Sequence, residues 1–254
     1  MRPGPLAPNH YTLHLDNQPL PVRSPLAGEH QRRNLALAIA AAVELRNSFS
    51  YNIPNAAIEA GIANTSWPGR LEFLPPNLLL DVAHNPAGAW TLRAAISTLP
   101  EQRPRTLIFS CLRDKDLTEI SRILFPLFDT SGPSHSTSNL EPTPLGTPSL
   151  QAWVSQTQAG SEARSPRLQP RVFPGARTPP HQLILTPIDN PRAASLDSLL
   201  AAAALSIPAH AAHSPSEALA LARSLTPPDG LILATGSIFL IGALRTAALA
   251  PQLL

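Results

Sequence analysis

The sequence predicts an α/β protein, a mostly parallel sheet with flanking helices, and two observations lead there. Four short apolar runs, at 78–80, 106–109, 183–186 and 231–234, have the length and the Leu and Ile content of strands buried on both faces. Each is followed by a polar loop and then by apolar residues at helical spacing, and such alternation places parallel strands under a cover of helices. In order, 78–80 leads through Asp81-Val82-Ala83-His84-Asn85-Pro86 into a helix running toward Leu99. The run at 106–109 leads through Asp114-Lys115-Asp116 into a helix carrying Leu117, Ile120, Ile123 and Leu124. The run at 183–186 precedes a helix through Leu196, Leu199 and Leu200, and a further helix covers 218–225. The apolar stretch from Leu231 to Leu244 is broken by Thr235, Gly236 and Ser237, so it reads as strand, turn and helix and falls short of a membrane span. Ligands of such sheets bind beyond the carboxyl ends of the strands, where these loops fall.

The first 66 residues follow a different pattern. Residues 11–15 alternate as a half-buried strand, Asp16-Asn17 supplies a turn, and 20–23 form a second strand, giving a hairpin. Gly28 precedes a long helix in which Leu35, Ile39, Ala42, Val43 and Arg46 keep the 3.6-residue period, ending near Asn47. A second helix is expected after Ile53, with Pro54 in its first turn and Gly61 at its C-terminal end. Residues 1–66 therefore read as the tail of one domain and 67–254 as a second.

Composition narrows the class further. The chain has 254 residues, 43% of them hydrophobic, with 30 prolines and only 14% charged residues. The proline and serine concentrate between 129 and 181, where periodicity is lost; a disordered insertion is expected there, because such a segment cannot offset the cost of ordering its backbone. A formal net charge of +2 gives no basis for a nucleic-acid partner. Cys111 is the single cysteine, so no disulfide framework exists; with no signal peptide at the start, a cytoplasmic, membrane-free protein is expected.

The loops carry the chemistry. Asn85-Pro86 is a helix start with an N-cap and a first-turn proline, and it sets Asp81 and His84 beside a positive helix end suited to anions. Arg70 follows Pro68-Gly69 in a turn, and Asn34 lies on the long helix. Ser237 in Thr235-Gly236-Ser237 is an ordinary N-cap that also offers a hydroxyl and free N–H groups to a carboxylate. Asp114, Lys115 and Asp116 read equally as a solvated charge run or as the wall of a substrate site.

Taken together, Pro68-Gly69-Arg70-Leu71-Glu72, the string from Asp81 to Pro86, Leu112 to Asp116 and Thr235-Gly236-Ser237 resemble the C-terminal half of the folylpolyglutamate synthase and dihydrofolate synthase family, a branch of the Mur ligases. Leu26, Gly28, His30, Gln31 and Asn34 match the family pattern L-x-G-x-H-Q-x-x-N that closes its central ATPase domain. The resemblance implies a Rossmann-like C-terminal glutamate-binding domain at 67–254, preceded by a remnant of the ATPase domain at 1–66. It implies that Asn34 reads adenine, Arg70 swings onto the ATP phosphates, Asp81 holds the ribose, His84 lies near the γ-phosphate and the incoming glutamate, and Ser237 helps hold that glutamate. The implied reaction uses ATP and Mg2+ to join a folate or dihydropteroate carboxylate to L-glutamate through an acyl phosphate.

The family P-loop, G-x-x-x-x-G-K-[ST], has no counterpart here, for the only lysine is Lys115 and no glycine-rich loop precedes it. The resemblance implies that the magnesium ligands, the P-loop and a modified lysine belong to a missing N-terminal portion, supplied in cis or by a partner in trans. A monomer without ligase turnover of its own is the expectation. Two alternatives stay open: a non-catalytic interaction protein on a decayed ligase domain, and another Mur-type amino-acid ligase. A nicotinamide enzyme is disfavoured, since no glycines are spaced as G-x-G-x-x-G.

Overall fold

The computed structural model describes residues 6–99, 104–128, 181–204 and 209–250. The chain divides into two units, 1–130 with 178–254 and 131–177, and every described residue belongs to the first. Apart from His181, the insertion expected at 129–181 lies outside the described residues.

Strands β1 (Pro8–Leu15) and β2 (Gln18–Ala27) form an antiparallel ribbon, longer than the expected hairpin. Asp16 and Asn17, at φ 51° and 60°, make the tight turn, as a hairpin of right-handed twist requires. Pro19 and Pro21 look like strand breakers, yet a two-stranded ribbon has free outer edges on which a missing N–H costs nothing. Leu20 and Val22 point inward and meet Leu35 and Ile39 of helix α1 (Glu29–Phe49) and Ile58 and Ile62 of α2 (Asn55–Ala63).

Three boundaries differ from expectation. Helix α1 runs two residues past Asn47 and stops at Ser50, which adopts the left-handed conformation. Pro54 is the extended residue before α2 and not part of its first turn, and Gly61 lies inside the last turn, with Asn64 ending the helix.

The second layer set is a six-stranded sheet of order β3-β4-β8-β5-β6-β7, built from β3 (Glu72–Leu74), β4 (Leu78–Leu80), β5 (Arg105–Phe109), β6 (Gln182–Leu185), β7 (His210–Ala211) and β8 (Leu231–Thr235). All pairs are parallel except β3 with β4. Helices α3 (Pro86–Ser97), α4 (Leu117–Leu124) and α5 (Leu196–Ala204) cover one face, with a 3-10 turn at Phe125–Phe128. Helices α6 (Pro215–Leu225) and α7 (Ile238–Leu249) cover the other.

Alternation along each strand divides the apolar runs between two cores. Leu79, Leu107, Phe109, Leu183, Leu185, Leu231 and Leu233 pack under α3 to α5. Leu78, Leu80, Ile108, Ile184, Ile232 and Ala234 pack under α6 and α7. Each fully buried Leu or Ile contributes roughly 1.5–3 kcal/mol, which makes this sheet the main source of stability. Strand β8, the last in sequence, lies between β4 and β5, so the loops after β4, β5 and β8 are neighbours at the carboxyl edge. Among the described residues no helix is long and apolar enough to cross a membrane.

Candidate active site

The site is built at that edge by loops from distant parts of the chain. Asp81 extends the ladder by one bond, its N–H donating to Ala234 O at 3.0 Å, and the chain then turns away. The Asp81 carboxylate fixes the turn: Oδ1 accepts from Ala83 N at 2.9 Å and Oδ2 from Leu71 N at 3.0 Å. Asp81 is only 6% exposed, and burial pushes its pKa above the ordinary carboxylate value. The two N–H bonds and nearby Arg70 act in the opposite direction.

Arg70 reaches this place because β3 runs against β4. Glu72 pairs with Leu80, so the residues before β3 arrive at the same sheet end as the residues after β4. The turn that carries Arg70 is held on both sides. Gly69 O accepts from Val82 N at 2.8 Å, Gly69 N donates to Glu72 Oε2 at 2.8 Å, and Leu71 N is bound by Asp81. Gly69 sits at φ 73°, and a Cβ there would meet Val82 and Ile241 at 2.9 Å. Glu72 in turn binds Arg245 Nε of α7 at 2.9 and 3.1 Å. Between these two clamps the half-buried Arg70 has no hydrogen-bond or ion-pair partner among the described residues. A guanidinium held in this way is available to an anion.

Asp81, Arg70 and His30 line a cavity of about 100 Å3 together with Leu71, Gly88 and Thr91. His30 and Arg70 also line a groove of about 580 Å3 between α1 and α2, whose polar end holds Gln31 and Asn34 and whose walls are Leu35, Ile39, Ile58 and Ile62. Asn34 and Asp81 therefore line two separate cavities that share His30 and Arg70. Asn34 is exposed, and its Nδ2 donates to Gln31 Oε1 at 3.0 Å.

His84 and Ser237 lie on two loops that are bonded to each other. Gly236 N donates to Ala83 O at 2.9 Å, which draws the loop after β8 against the loop after β4. His84 Nδ1 donates to Val82 O at 2.9 Å, leaving Nε2 as its second ring nitrogen for a ligand. Asn85 Oδ1 caps α3 through Gly88 N at 2.7 Å. Ser237 caps α7 by accepting from Phe239 N at 3.3 Å; at 1% exposure its hydroxyl is enclosed by the protein. In the charged loop after β5, Asp116 Oδ1 caps α4 through Glu119 N, and Asp114 pairs with Lys115 and Arg192. Among the described residues there is no group of three or more His, Cys, Asp or Glu that could hold a metal ion.

His30, Gln31 and Glu72 carry no role in the sequence reading, although all three belong to matched strings. The signal was the H-Q-x-x-N spacing, which puts His30, Gln31 and Asn34 within one helical turn.

The α/β fold is shared with solved structures of folylpolyglutamate synthases. Mycobacterium tuberculosis folylpolyglutamate synthase complexed with ADP superposes with a TM-score of 0.62 at 23% identity, over 94% of this chain and 46% of that chain. The Thermotoga maritima folylpolyglutamate synthase gives 0.58 at 21% identity, over 94% and 43%. These likenesses concern the fold. No family model matches the sequence.

The curated relatives speak to the family. The dihydrofolate synthase/folylpolyglutamate synthase of Mycobacterium tuberculosis is 36% identical over 117 residues, 45% of this chain and 24% of that protein. The Bacillus subtilis dihydrofolate synthase/folylpolyglutamate synthase is 36% identical over 96 residues, 37% of this chain and 22% of that protein. The Lacticaseibacillus casei folylpolyglutamate synthase is 36% identical over 108 residues, 42% and 25%. Over these stretches the chain is similar to folylpolyglutamate synthases and dihydrofolate synthases. Its matches span about a quarter of the length of these relatives.

Proposed function

We propose that this chain supplies the adenine-reading and glutamate-side portion of an ATP-dependent ligase that joins a folate or dihydropteroate carboxylate to L-glutamate. The observation that carries this reading is the position of unpartnered Arg70, which lines both the groove that holds Asn34 and the small cavity that holds buried Asp81. In the proposed reaction the acceptor carboxylate takes the γ-phosphoryl group of ATP, giving an acyl phosphate and ADP. The glutamate amine then attacks the acyl carbon and inorganic phosphate leaves.

Each residue has a task suited to its setting. Asp81, oriented by two N–H groups, accepts from the ribose hydroxyls. Arg70 neutralises charge moving onto the transferred phosphoryl group. Asn34 pairs with the base edge. His84 presents Nε2 near the γ-phosphate and the incoming amine, and the α7 end capped by Ser237 faces the glutamate carboxylate with its backbone N–H groups. In this reading residues 1–66 belong to the ATPase domain and 67–254 to the glutamate-binding domain. The P-loop, the magnesium ligands and the modified lysine are assigned to a further segment, in cis or in trans. The protein acts as a monomer in the cytoplasm.

The test joins the chain to a P-loop-bearing N-terminal half of the Mycobacterium tuberculosis synthase and follows glutamate-dependent ADP release. Turnover is expected in the joined protein, lost with Arg70→Ala or His84→Ala, and absent from the chain alone. Turnover by the chain alone would refute the division of labour, and Arg70→Ala without effect would refute the site.

A further inference from the structure

Three side chains at the start of α1 form a relay that ends on the residue assigned to the base. Gln31 Nε2 lies 3.1 Å from His30 Nε2, and Gln31 Oε1 accepts from Asn34 Nδ2 at 3.0 Å. Gln31 is 4% exposed, so both ends of its amide must find partners within the protein. A primary amide has one donating and one accepting end, and turning it over exchanges both.

This couples His30 to Asn34. With His30 neutral and Nε2 accepting, its proton sits on Nδ1; Gln31 then directs Oε1 at Asn34, and Asn34 directs its NH2 group inward and Oδ1 outward. A proton on Nε2 makes that nitrogen a donor. Gln31 must then turn so that Oε1 accepts from His30, its NH2 group faces Asn34, and Asn34 must turn in response. One proton thus inverts the amide that Asn34 presents to the groove.

The surroundings seat the ring firmly. A Cβ on Gly28 would fall 2.8 Å from His30 Cε1 and 2.9 Å from Nδ1, so the ring lies against the bare glycine. The charged groups that face it are Arg70 from the turn before β3, Asp81 from the loop after β4, and Glu29 and Arg32 from α1 itself. Burial first, then Arg70, holds the His30 pKa below the ordinary imidazole value, and the positive end of α1 acts in the same direction.

We propose that His30 and Gln31 determine the purine specificity of this groove, by fixing the Asn34 amide in one orientation while His30 is neutral and inverting it when His30 is protonated. The proposal rests on the nucleotide reading given above. A 6-aminopurine offers a donor beside a ring-nitrogen acceptor, whereas a 6-oxopurine offers an acceptor beside an N–H donor. Inverting the amide therefore exchanges the preferred base. Neutral His30 goes with ATP, and protonated His30 with ITP.

The experiment uses the full chain labelled with 15N, observing the His30 ring nitrogens and the Gln31 and Asn34 side-chain amides between about pH 5 and pH 8, first without nucleotide. The expected result is the Nδ1–H tautomer at the upper end and one midpoint shared by all three side chains. ATP and ITP are then titrated at both ends of the range. ATP is expected to be favoured by about tenfold at the upper end, with the preference reduced or reversed at the lower end.

Two variants separate orientation from mere packing. Gln31→Leu releases Asn34, so the ATP preference falls toward unity at every pH. Gln31→Glu accepts at both ends and holds the Asn34 NH2 group whatever the state of His30, so the preference persists and its pH dependence disappears. An Asn34 amide that ignores the His30 titration overturns the proposal, as does a wild-type pH dependence in Gln31→Glu. If the coupled titration is present but neither nucleotide moves a resonance in the groove, the nucleotide reading fails, and with it the purine assignment, while the relay stands.

Discussion

Replacing Gly236 by alanine tests the claim that the carboxyl edge is held by backbone contact. Gly236 lies at φ 102°, and a Cβ there would stand 2.1 Å from Ser110 O and 2.5 Å from Cε2 of Phe109. Neither neighbour can move aside. Ser110 belongs to the chain leaving β5, Phe109 is fully buried against Phe125 at a centroid distance of 5.3 Å, and Gly236 N is tied to Ala83 O. A residue with a Cβ in a left-handed conformation costs roughly 1–2 kcal/mol. Overfilling a packed site costs a further 1–3 kcal/mol or so. The stiffer unfolded chain returns about 0.4–1 kcal/mol. Gly236→Ala should therefore lose about 3 kcal/mol, a large part of the roughly 5–15 kcal/mol typical of a folded domain. Gly242, six residues on within α7, is the control: nothing lies within 4 Å of its would-be Cβ, and Gly242→Ala should gain about 0.5–1 kcal/mol. Urea unfolding followed by circular dichroism measures both, and an unchanged denaturant slope licenses the comparison. A Gly236→Ala protein within about 1 kcal/mol of wild type would refute the reasoning.

Other consequences are independent of that loop. Cys111 is fully buried and burial pushes its thiol up to about 11, so a thiol reagent near neutral pH should label it only as the protein unfolds; rapid stoichiometric labelling of the native protein would contradict this. His181 Nδ1 accepts from Arg105 N at 3.1 Å, and burial and then Arg105 lower its pKa, as burial and Arg70 lower that of His30. With both folded values depressed, the unfolded state binds more protons below about pH 6.5, so stability should fall on acidification through that window and should fall less in a His30→Gln, His181→Gln double variant. Glu72 accepts from Gly69 N and from Arg245, with 19% of its side chain exposed. Glu72→Ala should cost about 1–3 kcal/mol, and Arg245→Ala less because 38% of its side chain meets solvent. Equal and negligible losses in urea titrations of these two variants would deny the clamp on Arg70.

Much of the α/β domain was legible because its strands are continuous apolar runs with loops of distinct chemistry after them. Strands β3 and β7 were not, since three and two residues are too few to show a period. The full length of the ribbon is not legible because Pro8, Pro19 and Pro25 resemble breaks, and only the pairing reveals that β1 and β2 have outer edges to spare. Gly61 resembles a helix stop, but a helix that continues to Ala63 needs no left-handed residue at that place. At the site, Asp81 and His84 stood out because they share one loop. The meeting of Asn34 with Arg70 depends on how the ribbon and α1 lie beside the turn before β3, and no local pattern records that. The two clamps on Arg70 were equally hidden, because Glu72 and Arg245 are separated by 173 positions.

The position of β8 has a consequence for biosynthesis. Strands β4 and β5 are made early, yet neither pairs with the other; both wait for Leu231–Thr235 to enter between them. Until that stretch emerges from the ribosome, two apolar strands expose bare edges to any other nascent chain. A premature stop shortly before residue 231 should therefore be as harmful as one much earlier, yielding insoluble product where the same loss from a peripheral helix would be tolerated. Chaperone dependence should end abruptly when this last strand becomes available.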